Sequence, residues 1–287
     1  MSVEDSYFHS IHSMKVHDKL YTFETPMVMG ILNCTPDSFY KNSRFQEDKL
    51  ILKAAEKHIS DGASILDIGG YSTRPGAINI DLTTEIERTA RAVALIHNEF
   101  PEILISIDTF RSEVARIALS EGASMINDIS GGEIDPEIWQ IAAKNNCPYI
   151  LMHMRGTPQT MQENTTYSNL FKEIAGYFSL KIEQLKKLGV NDVILDPGFG
   201  FSKTTNQNFE LLNRLEDFHF LRKPLLVGIS RKSMIYKTLE IEAESALNGT
   251  TVLNTLALIK GAKILRVHDV KEAKQAVELI QNVKCRM

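Results

Sequence analysis

The chain has 287 residues, 43% of them hydrophobic and 24% charged, with a formal net charge of −4. That length suits a single α/β barrel, and the mildly acidic balance argues against a nucleic-acid binder, which normally carries a basic stripe. No apolar stretch reaches the roughly 18 residues of a membrane span. The opening MSVEDSYFHSIHSMKVHDK has no secretory apolar core, and Cys34, Cys147 and Cys285 form no CxxC pair, so a reducing cytoplasm is expected.

Residues 1–25 read as an N-terminal extension, in which 20–23 is expected as a short strand closing the bottom of the domain at 26–287. Eight short apolar runs follow, at 28–32, 64–66, 104–107, 124–126, 149–152, 193–195, 225–227 and 264–265. Each stops at a polar residue: Asn33, Asp67, Asp108, Asn127 with Asp128, His153, Asp196, Ser230-Arg231-Lys232, and Arg266 with His268. Amphipathic segments between the runs predict helices at 47–60, 82–99, 112–120, 136–144, 168–188, 208–215, 247–260 and 270–283. Ser112 is the expected start signal of the third, and a glycine follows several of the others. Alternating short strands and helices predict an α/β fold, a single-domain TIM-type (β/α)8 barrel. Chemistry in such barrels sits at the C-terminal strand ends, where the polar residues fall. Long loops at 35–45, 69–81 and 154–167 belong to the same end, and loops of that length are usually functional.

The carboxylates Asp67, Asp108, Asp128 and Asp196 need something to offset their repulsion. Two like charges about 4 Å apart cost ~4 kcal/mol at an effective dielectric near 20. Lys232, Arg266, a cation or a hydrogen-bond-donating ligand would supply the offset, while Asp108 and Asp128 also read as helix caps. Arg266 and His268 are two apart on a strand and therefore face the same way. They suit an anion, with a salt bridge from Arg266 to Asp67 or Asp269 as the structural alternative. Asp196 before Pro-Gly-Phe-Gly-Phe201 lacks a phosphate-loop pattern. It reads better as a carboxylate beside aromatic rings, suited to the amino-imine edge of a flat heterocycle. Gly228 would let such a ligand approach the backbone. Because cations are unfavourable at a helix start, function is favoured for at least one of Arg231 and Lys232. His153 reads as a structural group outside the site, and Trp139 as core.

The segments 29–39, 67–77, 106–109, 126–128, 195–201, 228–232 and 266–268, in this order and spacing, resemble dihydropteroate synthase. The resemblance implies a folate-pathway transferase that joins p-aminobenzoate to a dihydropterin diphosphate with Mg2+ as cofactor. By that resemblance Asp108, Asn127, Asp196 and Lys232 would hold the pterin, with Met152, Phe201 and Gly228 shaping its slot and Asp67 beneath. Asn33, Thr73, Arg266 and His268 would bind the diphosphate, with Mg2+ on Asn33. Phe39, Thr73, Arg74, Pro75, Phe201, Lys232 and Ser233 would frame the p-aminobenzoate. Asp108, Asp196, Lys232, Arg266 and His268 would carry the chemistry. A homodimer is implied; no nucleic-acid or membrane partner is expected. Two positions depart from many relatives: Lys41 replaces an acidic loop residue, and Tyr71 stands where Glu is common. A pterin methyltransferase and a non-catalytic pterin-binding regulator are the alternatives.

Overall fold

A computed structural model describes residues 12–34, 44–71 and 80–284. An antiparallel hairpin comes first, β1 (Ser13–Val16) and β2 (Lys19–Thr22). Eight parallel strands follow: β3 (Met27–Asn33), β4 (Ile65–Gly69), β5 (Leu104–Asp108), β6 (Met125–Asp128), β7 (Tyr149–Met152), β8 (Val193–Asp196), β9 (Leu226–Val227) and β10 (Ile264–Val267). Strands β3 to β8 pair in chain order and β10 pairs with both β3 and β9. A single bridge, Leu195 to Leu225, joins β8 to the start of β9 and completes the ring. The (β/α)8 barrel expected from the sequence is present.

Helices lie between the strands: α1 (Arg44–Ser60), α2 (Leu82–Glu99), α3 (Ser112–Ser120), α4 (Glu137–Asn145), α5 (Leu170–Leu188), α6 (Thr205–Asn213), α7 (Ser233–Leu239), α8 (Leu247–Ile259) and α9 (Val270–Lys284). Their ends follow local chemistry. Asp81 accepts from Thr84 N at the start of α2, Thr204 and Gln207 form a reciprocal capping box on α6, and Gly189 closes α5 with φ 93°.

Three expectations change. Ser112 does not cap α3; the cap residue is Arg111, and the Ser112 amide is satisfied by Asp135 Oδ2 at 2.7 Å, from 23 residues downstream. The helix expected at 208–215 starts three residues earlier as α6 and continues as a 3-10 stretch, Leu215–Leu221. Helix α7 was not expected, because seven residues give too little periodicity to stand out.

Alternation along the strands divides the core. Val28, Leu32, Leu66, Ile105, Ile107, Ile126, Leu151, Leu195 and Leu265 pack outward with the helices. The opposite faces build an apolar plug inside the barrel from Met29, Ile65, Leu104, Met125, Ile150, Ile194, Leu226 and Ile264. Met14, Val16 and Phe23 of the hairpin region pack onto that plug, whereas Leu20 is 69% exposed. The plug therefore fills the N-terminal half of the barrel, and inward positions nearer the strand C-termini are left to other side chains.

Candidate active site

Two residues beyond each member of the plug, the chain again faces inward. Those positions are Ile31, Asp67, Ser106, Asn127, Met152, Asp196, Gly228 and Arg266. One further step of two gives Asn33, Gly69, Asp108 and His268. The alternation that builds the apolar plug thus builds the polar mouth above it.

Arg266 organises the centre. Its Nε donates to Asp67 Oδ2 and its Nη2 to Asp108 Oδ2, each at 2.6 Å. Asp67 is fully buried, and Oδ2 also accepts from Asn127 Nδ2 at 3.1 Å. Asp67 Oδ1 and the hydroxyl of Ser106, at the same register position on the next strand, have no partner among the described residues. Burial pushes the Asp108 carboxyl above its ordinary value, with Arg266 opposing and Asp67 adding to the rise. Burial alone lowers the Arg266 guanidinium, but Asp67 and Asp108 outweigh it and hold the charge firmly in place. Asn33 stands beside this group. A Cβ on Gly69 would lie 3.6 Å from Asp108 Oδ2 and 3.8 Å from Asn33 Oδ1.

On the other side, a Cβ on Gly228 would sit 3.8 Å from Arg266 Cβ and 3.9 Å from Lys232 Nζ. The absent side chain leaves that space between the two cations open to a ligand. Lys232 donates to the Phe199 carbonyl, and its ammonium lies 4.6 Å from the centre of the Phe201 ring. Burial pushes Lys232 down to about 8. Asp196 is 5% exposed; its Oδ1 accepts from Gly198 N at 2.8 Å, and burial raises it against the opposing charge of Lys232. His268 Nδ1 is 3.1 Å from Ser230 Oγ, which also accepts the His268 amide. Tyr71, Phe110, Ile129, Met152, Met154 and Met161 form an apolar cluster beside the mouth, with Phe201 packed against it. A polar floor with an apolar wall suits a flat, hydrogen-bonding heterocycle.

Asn33, Asp108, Asn127, Met152, Asp196, Phe201, Gly228, Lys232, Arg266 and His268 are thus brought to one end of the barrel, and Ser233 opens α7 directly after Lys232. Phe39, Thr73, Arg74 and Pro75 lie outside the described residues, as does Lys41. Asp128 is a correction: it does not join the mouth. It shares the outward face with Ile126 and accepts from Tyr149 Oη and from the amides of Ser130 and Gly132, which lie in a turn, so it caps no helix either. Asp108 is held by Arg266 and caps no helix. The salt bridge from Arg266 to Asp67 exists, but Asp269 pairs with Arg231, whose cation is thereby structural. Trp139 is core and donates to Tyr149 Oη.

Sequence reasoning named Ser230 only within a polar strand end and gave it no role, although it orients His268, and it missed Lys203, which lies buried beneath the 197–202 loop. Ser230 was legible in principle, as a hydroxyl in the same strand-end segment as Lys232. Lys203 bonds mainly to backbone carbonyls, and these leave no mark in a sequence. Among the described residues no group of three His, Cys, Asp or Glu side chains is arranged for a metal ion.

The profile of the pterin binding enzyme family matches residues 29–268. A dihydropteroate synthase of Synechocystis is 47% identical over 251 residues, covering 86% of each chain. Among solved structures, a dihydropteroate synthase of Yersinia pestis with a sulfonamide drug matches with a TM-score of 0.89 at 35% identity, covering 96% of this chain and 100% of that one. The Xanthomonas albilineans dihydropteroate synthase with 4-aminobenzoic acid matches with a TM-score of 0.88 at 32% identity, covering 96% and 99%. The chain belongs to the pterin-binding enzyme family, among its dihydropteroate synthases.

Proposed function

We infer that this protein condenses 6-hydroxymethyl-7,8-dihydropterin diphosphate with p-aminobenzoate, giving 7,8-dihydropteroate and pyrophosphate in folate biosynthesis. The observation that carries this is the joining of Asp67 and Asp108 to Arg266 and of Asn127 to Asp67, with Gly228 opening the gap between Arg266 and Lys232. Asp108, Asn127, Asp196 and Lys232 take the hydrogen-bonding edges of the pterin, and Met152, Phe201 and Gly228 bound its slot. Asn33, Arg266 and His268, with Thr73, take the diphosphate. Phe201, Lys232 and Ser233, with Phe39, Thr73, Arg74 and Pro75, frame the p-aminobenzoate.

The charges fit a dissociative substitution. The bond from the pterin methylene to the diphosphate oxygen breaks first, leaving a delocalised pterin cation. Asp67, Asp108 and Asp196 gather at the mouth beside Arg266 and Lys232, and their oxygens are placed to stabilise that cation as it develops. His268 and the remaining donor capacity of Arg266 meet the departing oxygens. The amine of p-aminobenzoate then forms the carbon–nitrogen bond and releases a proton. No nucleophilic side chain is required.

Mg2+ is part of the proposal. One amide oxygen from Asn33, with no cluster of three acidic, His or Cys side chains placed for a metal among the described residues, is a donor set that fits an ion held chiefly by substrate phosphates. When bound it would neutralise charge on the leaving pyrophosphate.

A homodimer is proposed as well. It is supported by Val252, Leu256 and Ile259, which stand 52, 41 and 57% exposed along α8 at helical spacing. A cytoplasmic setting is supported by the buried free thiols Cys34 and Cys147, each pushed up to about 12 by burial. Among the described residues no helix is long and apolar enough to cross a membrane.

The test is turnover. Purified protein with the pterin diphosphate, p-aminobenzoate and Mg2+ should yield dihydropteroate and one pyrophosphate per product, and chelation of the metal should stop it. Pterin binding without any product, beside a working relative, would favour the non-catalytic regulator.

A further inference from the structure

Lys203 is 3% exposed, yet among the described residues it forms no ion pair with a carboxylate. A buried ammonium without compensation is strongly unfavourable. Here the compensation comes from backbone dipoles. Nζ lies 3.0 Å from the Gly198 carbonyl, 2.9 Å from that of Phe201, 3.4 Å from that of His153, and 3.1 Å from His153 Nδ1. Burial pushes Lys203 down to about 7, with the charge of Asp196 opposing the fall. Burial and the neighbouring Lys203 hold His153 well below its ordinary pKa, so the imidazole is neutral and accepts at Nδ1. The rings of Tyr177 and Tyr167 pack against His153.

The loop is shaped to make this cradle. Gly198, Gly200 and Ser202 take φ values of +73°, +80° and +47°, so the backbone turns sharply at alternate residues. Gly198 is obligatory, because a Cβ there would come within 2.1 Å of the His153 carbonyl oxygen. The same Gly198 residue works in two directions: its N–H donates to Asp196 Oδ1 and its C=O accepts from Lys203. Phe201 is also shared, with its carbonyl on Lys203 and its ring beneath Lys232. Phe199 offers its carbonyl to Lys232. Two lysines therefore grip one loop, Lys203 from within the fold and Lys232 from the mouth.

We propose that Lys203 is a positioning residue, a resident donor whose Nζ gathers the carbonyls of His153, Gly198 and Phe201 and so sets Asp196 and Phe201 for the heterocycle. This rests on the pterin site inferred above. Without that nitrogen, three converging carbonyls and an imidazole lone pair lose their common donor. The Gly198–Phe199 peptide, whose carbonyl Lys203 holds, is then free to rotate about the Gly198 Cα, and the adjoining Pro197–Gly198 peptide, whose N–H orients Asp196, loses its fixed neighbour. Lys203 itself is closed off from the mouth and touches no substrate.

The experiment compares Lys203→Met and Lys203→Gln with the parent, reading the Kd of 6-hydroxymethylpterin by calorimetry and then kcat and KM for the pterin diphosphate. A core variant, Phe178→Leu, controls for lost stability, since Phe178 is fully buried away from the mouth. Expected is at least a tenfold rise in pterin Kd and KM for Lys203→Met, with kcat within threefold of the parent. Lys203→Gln keeps a neutral donor and should fall between Met and the parent; it carries the test if the Met variant does not fold. Phe178→Leu should lower Tm and leave Kd within twofold. A folded Met or Gln variant with pterin Kd within twofold of the parent overturns the positioning role, as does a loss no greater than that of a core variant with equal Tm. A parent that binds no pterin overturns the reading of the mouth, and this proposal with it.

Discussion

Arg266 holds two carboxylates on one guanidinium, and this governs how substitutions at the mouth will read out. Arg266→Ala would strand Asp67 and Asp108 as buried charges, a loss of about 3–5 kcal/mol that would obscure any effect on catalysis. Arg266→Lys keeps the charge and loses the fork, so it isolates the role in diphosphate departure. It should leave the Kd of 6-hydroxymethylpterin within about threefold and lower kcat by at least about tenfold, as expected for an interaction formed mainly in the transition state. Asp196→Asn should instead weaken pterin binding by about 10- to 100-fold, since a hydrogen bond to a charged group contributes roughly 1.5–3 kcal/mol. Calorimetry and steady-state kinetics on the two variants check this, and equal losses of pterin affinity would contradict the division of roles. At this scale the sequence is readable wherever strand parity is applied. Asn33, Asp67, Asp108, Asn127, Asp196 and Arg266 fall two or four residues beyond the inner plug, whereas Asp128 and His153 fall on the outward face. Strict alternation alone puts Asp128 outside the mouth, one residue out of step with Asn127.

The elements show where local signals suffice and where they do not. Gly189 ends α5 and Thr204 with Gln207 starts α6 through bonds within a few residues, so those boundaries are written locally. Helix α3 differs, because its first amide is satisfied by a carboxylate from the next connection. Asp135 Oδ2 accepts from Ser112 N at 2.7 Å and Oδ1 from Glu137 N at 3.2 Å, so one side chain serves the starts of α3 and α4. No short motif around Ser112 could have named that partner. Asp135→Ala should cost about 1–2 kcal/mol, in the range of a lost N-cap. Urea unfolding should show a lower midpoint with turnover per folded molecule intact, and an unchanged midpoint would deny the double cap. Helix α7 was missed because a seven-residue helix set by Lys232 at its start has too few turns to display a face.

Over the whole molecule, one repeated pattern separates stability from chemistry. The inward residues of the N-terminal half are apolar and packed under the hairpin, and those of the C-terminal half are polar or glycine except Ile31 and Met152. Burying carboxylates is tolerable in the upper half because cations and backbone amides meet them there, as Arg266 meets Asp67 and Gly198 N meets Asp196. The plug beneath needs no such partners and supplies the rigid base that holds the charged groups in register. The barrel was legible because strand–helix units repeat eight times in one chain of this length, the count of a closed (β/α)8 ring. The grip of Lys203 on its loop was not, because it depends on carbonyl directions fixed by left-handed backbone at Gly198, Gly200 and Ser202. The central claim is that strand ends scattered from Asn33 to His268 form one pterin site. A crystal structure of the protein with 6-hydroxymethylpterin measures this most directly. The amino-imine edge of the ring should lie within hydrogen-bond distance of Asp196, with Asn127 and Lys232 on its other polar edges and the 6-substituent directed toward Asn33, Arg266 and His268. A pterin bound elsewhere, or seated in the mouth with that edge turned from Asp196, would contradict it.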